Sequence, residues 1–389
     1  MRHEFENGTL TVFPQGRIDS SNAQAAENEV LAIWNDHPGA SLTLDLMDLT
    51  YISSAGLRMI LRFRKKDPSI TLTNASQEVY DIFEMTGFTE MMDIHKAYRQ
   101  MSVEGCEVLG SGSNGVVYRY NDELVVKVYR NPDVLDEIKQ ERDLARKALI
   151  LGIPTAIPFD VVKVGENYAS VFELLNAKSF TKLVRENPED IEHYVRLFAD
   201  LLKTIHSTEV SPGEMPNGKL VAVDRAKFLK DYLKPEIYEK LVRLTESIPD
   251  RHTVIHGDYH TNNVEMQNDE VLLIDMDTLS YGHPILDIAY MYFGYVAFGE
   301  IDPSIPEKFF SLPRDLVAKV WDLAIHMYLD SDDEDYVRSV VEKASILTYT
   351  RLMRRTIRRD SESDFGKKQI ELCRVRLEEL VPKYDDLSF

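Results

Sequence analysis

The hydrophobic period of this chain changes near residues 100 and 180, and those changes limit what it can fold into. Up to about residue 100, runs of period two alternate with runs of helical period. TLTVFPQGRI (9–18), SLTLDLMDL (41–49) and SITLTNA (69–75) read as strands. NAQAAENEVLAIWND (22–36), AGLRMILRFRKK (55–66) and SQEVYDIFEMTGF (76–88) read as helices. Ala26, Val30 and Ile33 share one helical stripe, and Leu57, Ile60 and Leu61 another. Strands alternating with helices imply a small α/β layer domain over 1–100. The next stretch is strand-rich. CEVLGSGSNGVVYRYNDELVVKVYR (106–130) reads as three strands, a helix follows over about 132–149, and FDVVKVGE (159–166) and YASVFELL (168–175) add two strands. From about Ser179 the pattern is helical, with Leu197, Phe198, Leu201, Leu202 and Ile205 on one stripe. The expected order is an α/β domain (1–100), a five-stranded lobe (101–177) and a large helical lobe (178–389), the last two forming one bilobal α+β unit.

Composition narrows the partners. The 389 residues give ample length for such domains. No apolar run reaches the roughly eighteen residues of a membrane span. The first residues, MRHEFENGTL, place Glu4 and Glu6 where an export signal needs apolar side chains. With Cys106 and Cys373 far apart, reduced thiols in a cytoplasm are expected. A net charge of −20 argues against general binding to nucleic acid or an anionic membrane.

Chemistry-bearing residues gather in three places. GSGSNG comprises Gly110, Ser111, Gly112, Ser113, Asn114 and Gly115. Such a turn lets backbone N–H groups approach a phosphate, although glycine turns between strands are common for plainer reasons. It lies between strands rather than before a helix, which fits neither a Walker loop nor a dinucleotide fold. Lys127 follows inside the apolar run LVVKVY. On the next helix, Glu141 falls in the middle of the stripe made by Val134, Ile138, Ala145 and Leu149. A carboxylate on a buried face needs a cation, and Lys127 is the candidate, with Glu137 the reserve partner. An inward Lys–Glu pair beneath a glycine loop suits the anchoring of nucleotide phosphates.

The third place is HGDYHTNNV (256–264), between the apolar runs TVI and VLLIDMD. His256 and His260 are four apart, a zinc spacing on a helix but not in a loop carrying Gly257. Asp258, Asn263 and Asp275 suit phosphoryl transfer better. An acid orients or deprotonates the attacking hydroxyl, and an amide oxygen and a carboxylate hold Mg²⁺ against the phosphates.

HGDYHTNNV followed by LLIDMDT resembles the catalytic segment of aminoglycoside phosphotransferase and choline kinase type enzymes, over roughly residues 104 to 300. The resemblance implies a protein-kinase-like fold and an ATP- and Mg²⁺-dependent transferase acting on a hydroxyl. By it, Asp258 is the catalytic base, Asn263 and Asp275 are Mg²⁺ ligands, and Lys127 is the phosphate anchor. Glu141 positions that lysine, residues 110–115 cover the phosphates, and His256 supports the loop. Asp277 assists the metal or only hydrogen-bonds, and Asp287 ties the loop to the following helix. Gly257 stands where ordinary protein kinases have arginine, and IDMD replaces their Asp-Phe-Gly, which favours a small-molecule acceptor.

In the first domain, DLMDLTYISSAGLRMIL (45–61) puts Ser53 and Ser54 at a strand-to-helix junction, where a serine N-cap is the ordinary expectation and a phosphate the sharper one. With GRIDSSNAQAAENEV and VYDIFEMTGF, this segment resembles STAS domains, the anti-sigma-factor antagonist fold, over about residues 5 to 98. The resemblance implies a mixed sheet covered by helices, and it makes Ser54 the phosphorylation candidate and an anti-sigma factor or other protein the candidate partner. Ser53 stands where many members have Asp, and Ala55 where many have Ser or Thr. Two alternatives accompany the transferase reading: a serine kinase acting on Ser54 of its own or a partner STAS domain, and a non-catalytic, nucleotide-gated partner-switching module.

Finally, Arg351, Arg354, Arg355, Arg358 and Arg359 form one helical face. Solvation, or pairing with the acidic run DSDDED (330–335), is the ordinary expectation; an anionic acceptor or partner is the alternative.

Overall fold

The computed structural model describes residues 1–112 and 114–389, so Ser113 of the expected glycine loop lies outside the described residues. The chain divides into two compact units, residues 1–102 with 162–165, and residues 103–161 with 166–389.

The first unit runs β1 (Arg2–Glu6), β2 (Thr9–Phe13), β3 (Gly16–Ile18), α1 (Ala23–Asn35), β4 (Ser41–Asp45), β5 (Leu49–Ile52), α2 (Ser54–Lys66), β6 (Thr71–Ala75), α3 (Gln77–Met85) and β7 (Asp93–Lys96). The main sheet has the order β1-β2-β4-β6-β7. β1 pairs antiparallel with β2, and the remaining pairs are parallel. Helical stripes and inward strand residues meet in one core that includes Leu10, Trp34, Leu44, Phe63, Leu72 and Phe83. The expected strand over 9–18 is broken, because Pro14 donates no N–H and Gly16 turns at φ 71°. β3 then pairs with β5 instead. β1 was not expected. Its side chains are exposed throughout, so no alternation of apolar residues marks it.

The second unit begins with β8 (Glu107–Ser111), β9 (Gly115–Arg119), β10 (Leu124–Tyr129), α4 (Leu135–Ile150), β11 (Pro158–Val164, of which 162–164 group with the first unit) and β12 (Asn167–Glu173). These strands form the five-stranded sheet β11-β12-β10-β9-β8, with β10 antiparallel to both of its neighbours. The helical part follows: β13 (Lys178–Ser179), α5 (Phe180–Glu186), α6 (Ile191–Ser207), α7 (Gly218–Phe228), α8 (Pro235–Glu246), β14 (Val254–Ile255), β15 (Val264–Gln267), β16 (Glu270–Leu273), β17 (Ser280–Tyr281), α9 (Ile285–Tyr295), α10 (Ser304–Phe310), α11 (Arg314–Leu329), α12 (Glu334–Asp360) and α13 (Asp364–Leu380). The α6 stripe buries Phe198, Leu201, Leu202 and Ile205 against Tyr259, Leu273 and Phe310. Among the described residues, no helix is long and apolar enough to cross a membrane.

Tyr259 connects this core to the site. Its ring lies 4.4 Å from that of Phe198, and its hydroxyl donates to the Phe198 carbonyl at 2.6 Å. A fully buried tyrosine inside the polar loop 256–264 thus fixes that loop to α6.

Candidate active site

The period-two pattern of β10 points Lys127 to the side opposite Val126, which is fully buried. The Lys127 Nζ donates to Glu141 Oε1 at 2.8 Å and to Asp275 Oδ1 at 3.3 Å. Glu141, on the buried face of α4, is held again by the Tyr129 hydroxyl, which donates to its Oε2 at 2.6 Å. Glu137, the reserve partner, is exposed. Burial works against the charge of Lys127, but the carboxylates of Asp275 and Glu141 overcome it and raise the ammonium pKa. Burial, then the Glu141 charge, raises the Tyr129 phenol. Removing one partner from so enclosed a pair costs about 3–5 kcal/mol.

The glycine loop joins β8 to β9. The Gly112 N–H donates to the Gly115 carbonyl at 2.9 Å, and Arg130 Nη2 donates to Ser111 Oγ at 2.8 Å. A Cβ on Gly115 would sit 2.4 Å from the Val128 carbonyl oxygen, so only glycine lets β9 approach β10 there. Gly110 and Gly112 have open space around them, and Ser111, Gly112 and Asn114 are exposed.

The loop 256–264 is organised by Asp287 at the start of α9. Its carboxylate accepts the His256 N–H at 2.7 Å and the Gly257 N–H at 2.6 Å, and lies 3.0 Å from His206 Nε2. Burial opposes that charge, but His206, His256 and the Gly257 amide hold the carboxyl below its usual range. Gly257 has φ +81°, and a Cβ there would lie 2.6 Å from the Thr278 carbonyl oxygen. This position therefore demands glycine twice, by conformation and by space. His256 is fully buried; its Nδ1 accepts the Asp258 N–H at 3.2 Å, and its carbonyl accepts from Thr278 Oγ1 at 2.9 Å. Burial lowers the pKa of this ring.

Asp258 faces the His260 ring, with Nε2 3.6 Å from Oδ2. Burial alone would raise its pKa; His260, Arg351 and His256 bring it down to about 2. The Asn263 amide donates from Nδ2 to the Asp258 carbonyl at 3.0 Å, which leaves its side-chain oxygen to accept elsewhere. The Asn263 carbonyl accepts the Ile274 N–H at 3.0 Å, which brings the neighbouring Asp275 beside it. β16 ends at Leu273 rather than at Asp275; Asp275 stands two residues further on, at φ 65° ahead of a single 3₁₀ turn. Burial, then the charges of Asp275 and Glu141, push the Asp277 carboxyl up to about 7, with Asp258 adding to the effect.

Lys127 therefore contacts both Glu141 and Asp275, and Asp258 and Asn263 are joined through the loop backbone. Tyr129, Tyr259 and His206 escaped the sequence reading, and His260, weighed there only as a zinc ligand, instead faces Asp258. Tyr129 carried a usable signal, since it is two residues from Lys127 on the same strand; His206 carried none. Among the described residues, no three His, Cys, Asp or Glu side chains form a metal cluster. One carboxylate and one amide oxygen suit Mg²⁺, which keeps waters and binds through one or two protein groups plus substrate phosphates.

In the first unit, Ser53 is the N-cap of α2, its Oγ accepting the Ala55 N–H at 3.2 Å. Ser54 is exposed and lies in the first turn, 3.3 Å from Arg58 Nη2.

Comparison with known proteins agrees with this division. Residues 105–310 match the phosphotransferase enzyme family, and residues 1–101 match the STAS domain. The BtrV protein of Bordetella bronchiseptica, a candidate anti-sigma factor antagonist, is 35% identical over 92 residues, 23% of this chain and 78% of that protein. The anti-sigma-B factor antagonist of Listeria monocytogenes is 24% identical over 103 residues, 25% of this chain and 90% of that protein. Among solved structures, an apo thermostable mutant of aminoglycoside phosphotransferase APH(4)-Ia aligns with a TM-score of 0.50 and 12% identity, covering 72% of this chain and 97% of that one. That likeness concerns the fold, the kinase-like arrangement of a sheet lobe and a helical lobe expected from the sequence. The chain belongs to the phosphotransferase enzyme family and carries a STAS domain ahead of its phosphotransferase part.

Proposed function

We propose that the chain transfers the γ-phosphoryl group of ATP to a hydroxyl of a small molecule, with the STAS domain as a sensor or docking module. The observation that carries this reading is Lys127 Nζ held between Glu141 at 2.8 Å and Asp275 at 3.3 Å. An ammonium so fixed at the edge of a glycine loop is positioned for phosphate oxygens, with Glu141 orienting it. Asn263 and Asp275 would hold Mg²⁺, which neutralises charge on the phosphates when bound. Asp258 receives the acceptor hydroxyl. The acceptor oxygen bonds to the γ-phosphorus, the bond from that phosphorus to the ADP oxygen breaks, ADP leaves with the electron pair, and the hydroxyl proton passes to Asp258. With a pKa of about 2, Asp258 stays anionic and is a weak base. Its main contribution is then to orient the hydroxyl, which suits a loose transition state in which the proton moves late.

The test is ADP formation against a panel of hydroxyl compounds, for the wild type and for Asp258→Asn. The reading expects acceptor-dependent ADP release, lost in the variant while ADP binding is kept. Equal turnover by the variant would remove Asp258 from this role.

A second reading is favoured by the exposed position of Ser54 in the first turn of α2. There the acceptor is that serine, in this chain or in a partner STAS domain. Intact-mass measurement after incubation with ATP and Mg²⁺ separates the two: phosphate on Ser54, absent in Asp258→Asn, supports the second.

A further inference from the structure

The arginine face of α12 lies beyond the family-matched span, and its partners are unusual. The acidic run 330–335 does not neutralise it. Asp330 is held by Lys203 at 2.7 Å, Asp333 caps α12, Asp335 pairs with Arg338 at 2.9 Å, and Glu334 lies 3.5 Å from His326. The arginines rest on aromatic rings instead. Arg351 lies over Tyr290 at 4.2 Å and Phe293 at 4.9 Å, Arg354 over Phe228 at 5.3 Å, and Arg355 over Phe298 at 5.4 Å. Arg225 of α7 joins them, donating from Nη1 to the Tyr290 hydroxyl at 2.7 Å. Arg354 has Asp224 as its acidic neighbour, at 3.7 Å.

Two donors in this patch are unsatisfied. Arg351 Nη1 and Arg354 Nε are buried and have no hydrogen-bond partner among the described residues. Buried charged donors without acceptors are costly, and an oxyanion is what their geometry suits. The patch is also electrostatically coupled to the candidate site. Burial lowers the Arg351 pKa, Tyr290 opposes that, Arg225 reinforces it, and the charges of Asp258 and Asp277 act in the opposite sense. Arg351 in turn is among the groups that hold Asp258 ionised.

We infer that Arg351 and Arg354, with Arg225 beside them, receive an anionic oxygen group of the acceptor, so that the substrate is a hydroxyl compound bearing a phosphate or carboxylate. This rests on the transferase reading above and names its substrate class. A polycationic or quaternary-ammonium acceptor would meet this guanidinium charge and be repelled. Stacking on Tyr290 and Phe293 holds the Arg351 fork in place before the anion arrives, which lowers the ordering cost of binding.

The experiment uses the full chain with ADP and Mg²⁺ at saturation, so that the nucleotide-phosphate site is filled. Glycerol 3-phosphate, glycerate, glycerol, choline and kanamycin are titrated calorimetrically. Both anions are expected to bind more tightly than glycerol, choline or kanamycin; the phosphate and carboxylate arms show which anion is preferred. Arg351→Gln combined with Arg354→Gln should weaken anion binding about tenfold or more, as loss of charged hydrogen bonds does. Retained ADP binding reports that the variant is folded, and Arg354→Gln alone, at a partly exposed residue, serves if the double variant is not. Anions that bind no better than glycerol or the cations, or equally well to the variants, overturn the inference and leave the transferase reading standing. A wild type that binds no ADP overturns both.

Discussion

Asp287→Ala removes the acceptor on which the loop 256–264 hangs. Its fully buried carboxylate accepts the His256 N–H at 2.7 Å and the Gly257 N–H at 2.6 Å, beside His206 Nε2 at 3.0 Å. Each donor left unpaired in the interior costs about 1–3 kcal/mol. Against that sum stands relief from burying a carboxylate, so a net loss of about 3–5 kcal/mol is expected. Asp287→Asn keeps the shape and one acceptor oxygen but turns an amide N–H₂ toward a donor, and should fall between the alanine variant and the wild type. The assay is urea unfolding followed by tryptophan fluorescence. The chain has two tryptophans, Trp34 in the first unit and Trp321 in the second. A Trp34→Phe background therefore leaves Trp321 to report on the unit that contains Asp287. An Asp287→Ala midpoint equal to that of the background would refute the reasoning.

Three further outcomes are expected. Gly257→Ala forces a Cβ to within 2.6 Å of the Thr278 carbonyl at φ +81°, and should destabilise the second unit by about 1–3 kcal/mol in the same assay; an unchanged midpoint would show that the loop relaxes freely. Lys127→Ala should weaken Mg²⁺-ADP binding about ten- to hundredfold by calorimetry, the worth of a charge-assisted hydrogen bond, and an unchanged affinity would remove Lys127 as phosphate anchor. His283 is held at a pKa of about 4, below the ordinary 6.5, by burial and by the charges of Arg251 and His206. The unfolded chain therefore binds the extra proton between those values, and the contribution of His283 to stability, full above pH 6.5, is lost as the pH falls toward 4. Between pH 7 and 5 the wild-type midpoint should drop further than that of His283→Asn; equal drops would contradict this.

Much of the site was legible because buried charges announce themselves. Glu141 in the middle of an apolar helical stripe required a cation, and β10 supplied it. Asp258 and Asn263 stood out as candidates because a polar run between two short apolar strands has few structural uses, and Asp275 because it closes the apolar run that follows. Other features left no local trace. β1 is an edge strand with every side chain exposed, so its pairing with β2 cannot be read from alternation. His206 reaches Asp287 across 81 positions of sequence, and nothing in the stripe of α6 marks it as a loop support. The arginine face was visible as a periodicity, but its aromatic partners come from α7, α9 and the turn that follows α9, and only the fold brings these together.

The account depends most on Lys127, Asn263 and Asp275 serving one nucleotide and its metal. A crystal structure of the full chain with a non-hydrolysable ATP analogue and Mg²⁺ tests this directly. It should show Lys127 Nζ on a phosphate oxygen, Mg²⁺ bound by Asp275 and the Asn263 amide oxygen, and the γ-phosphate facing Asp258. A nucleotide seated away from Lys127, or a metal held without Asn263 and Asp275, would contradict it.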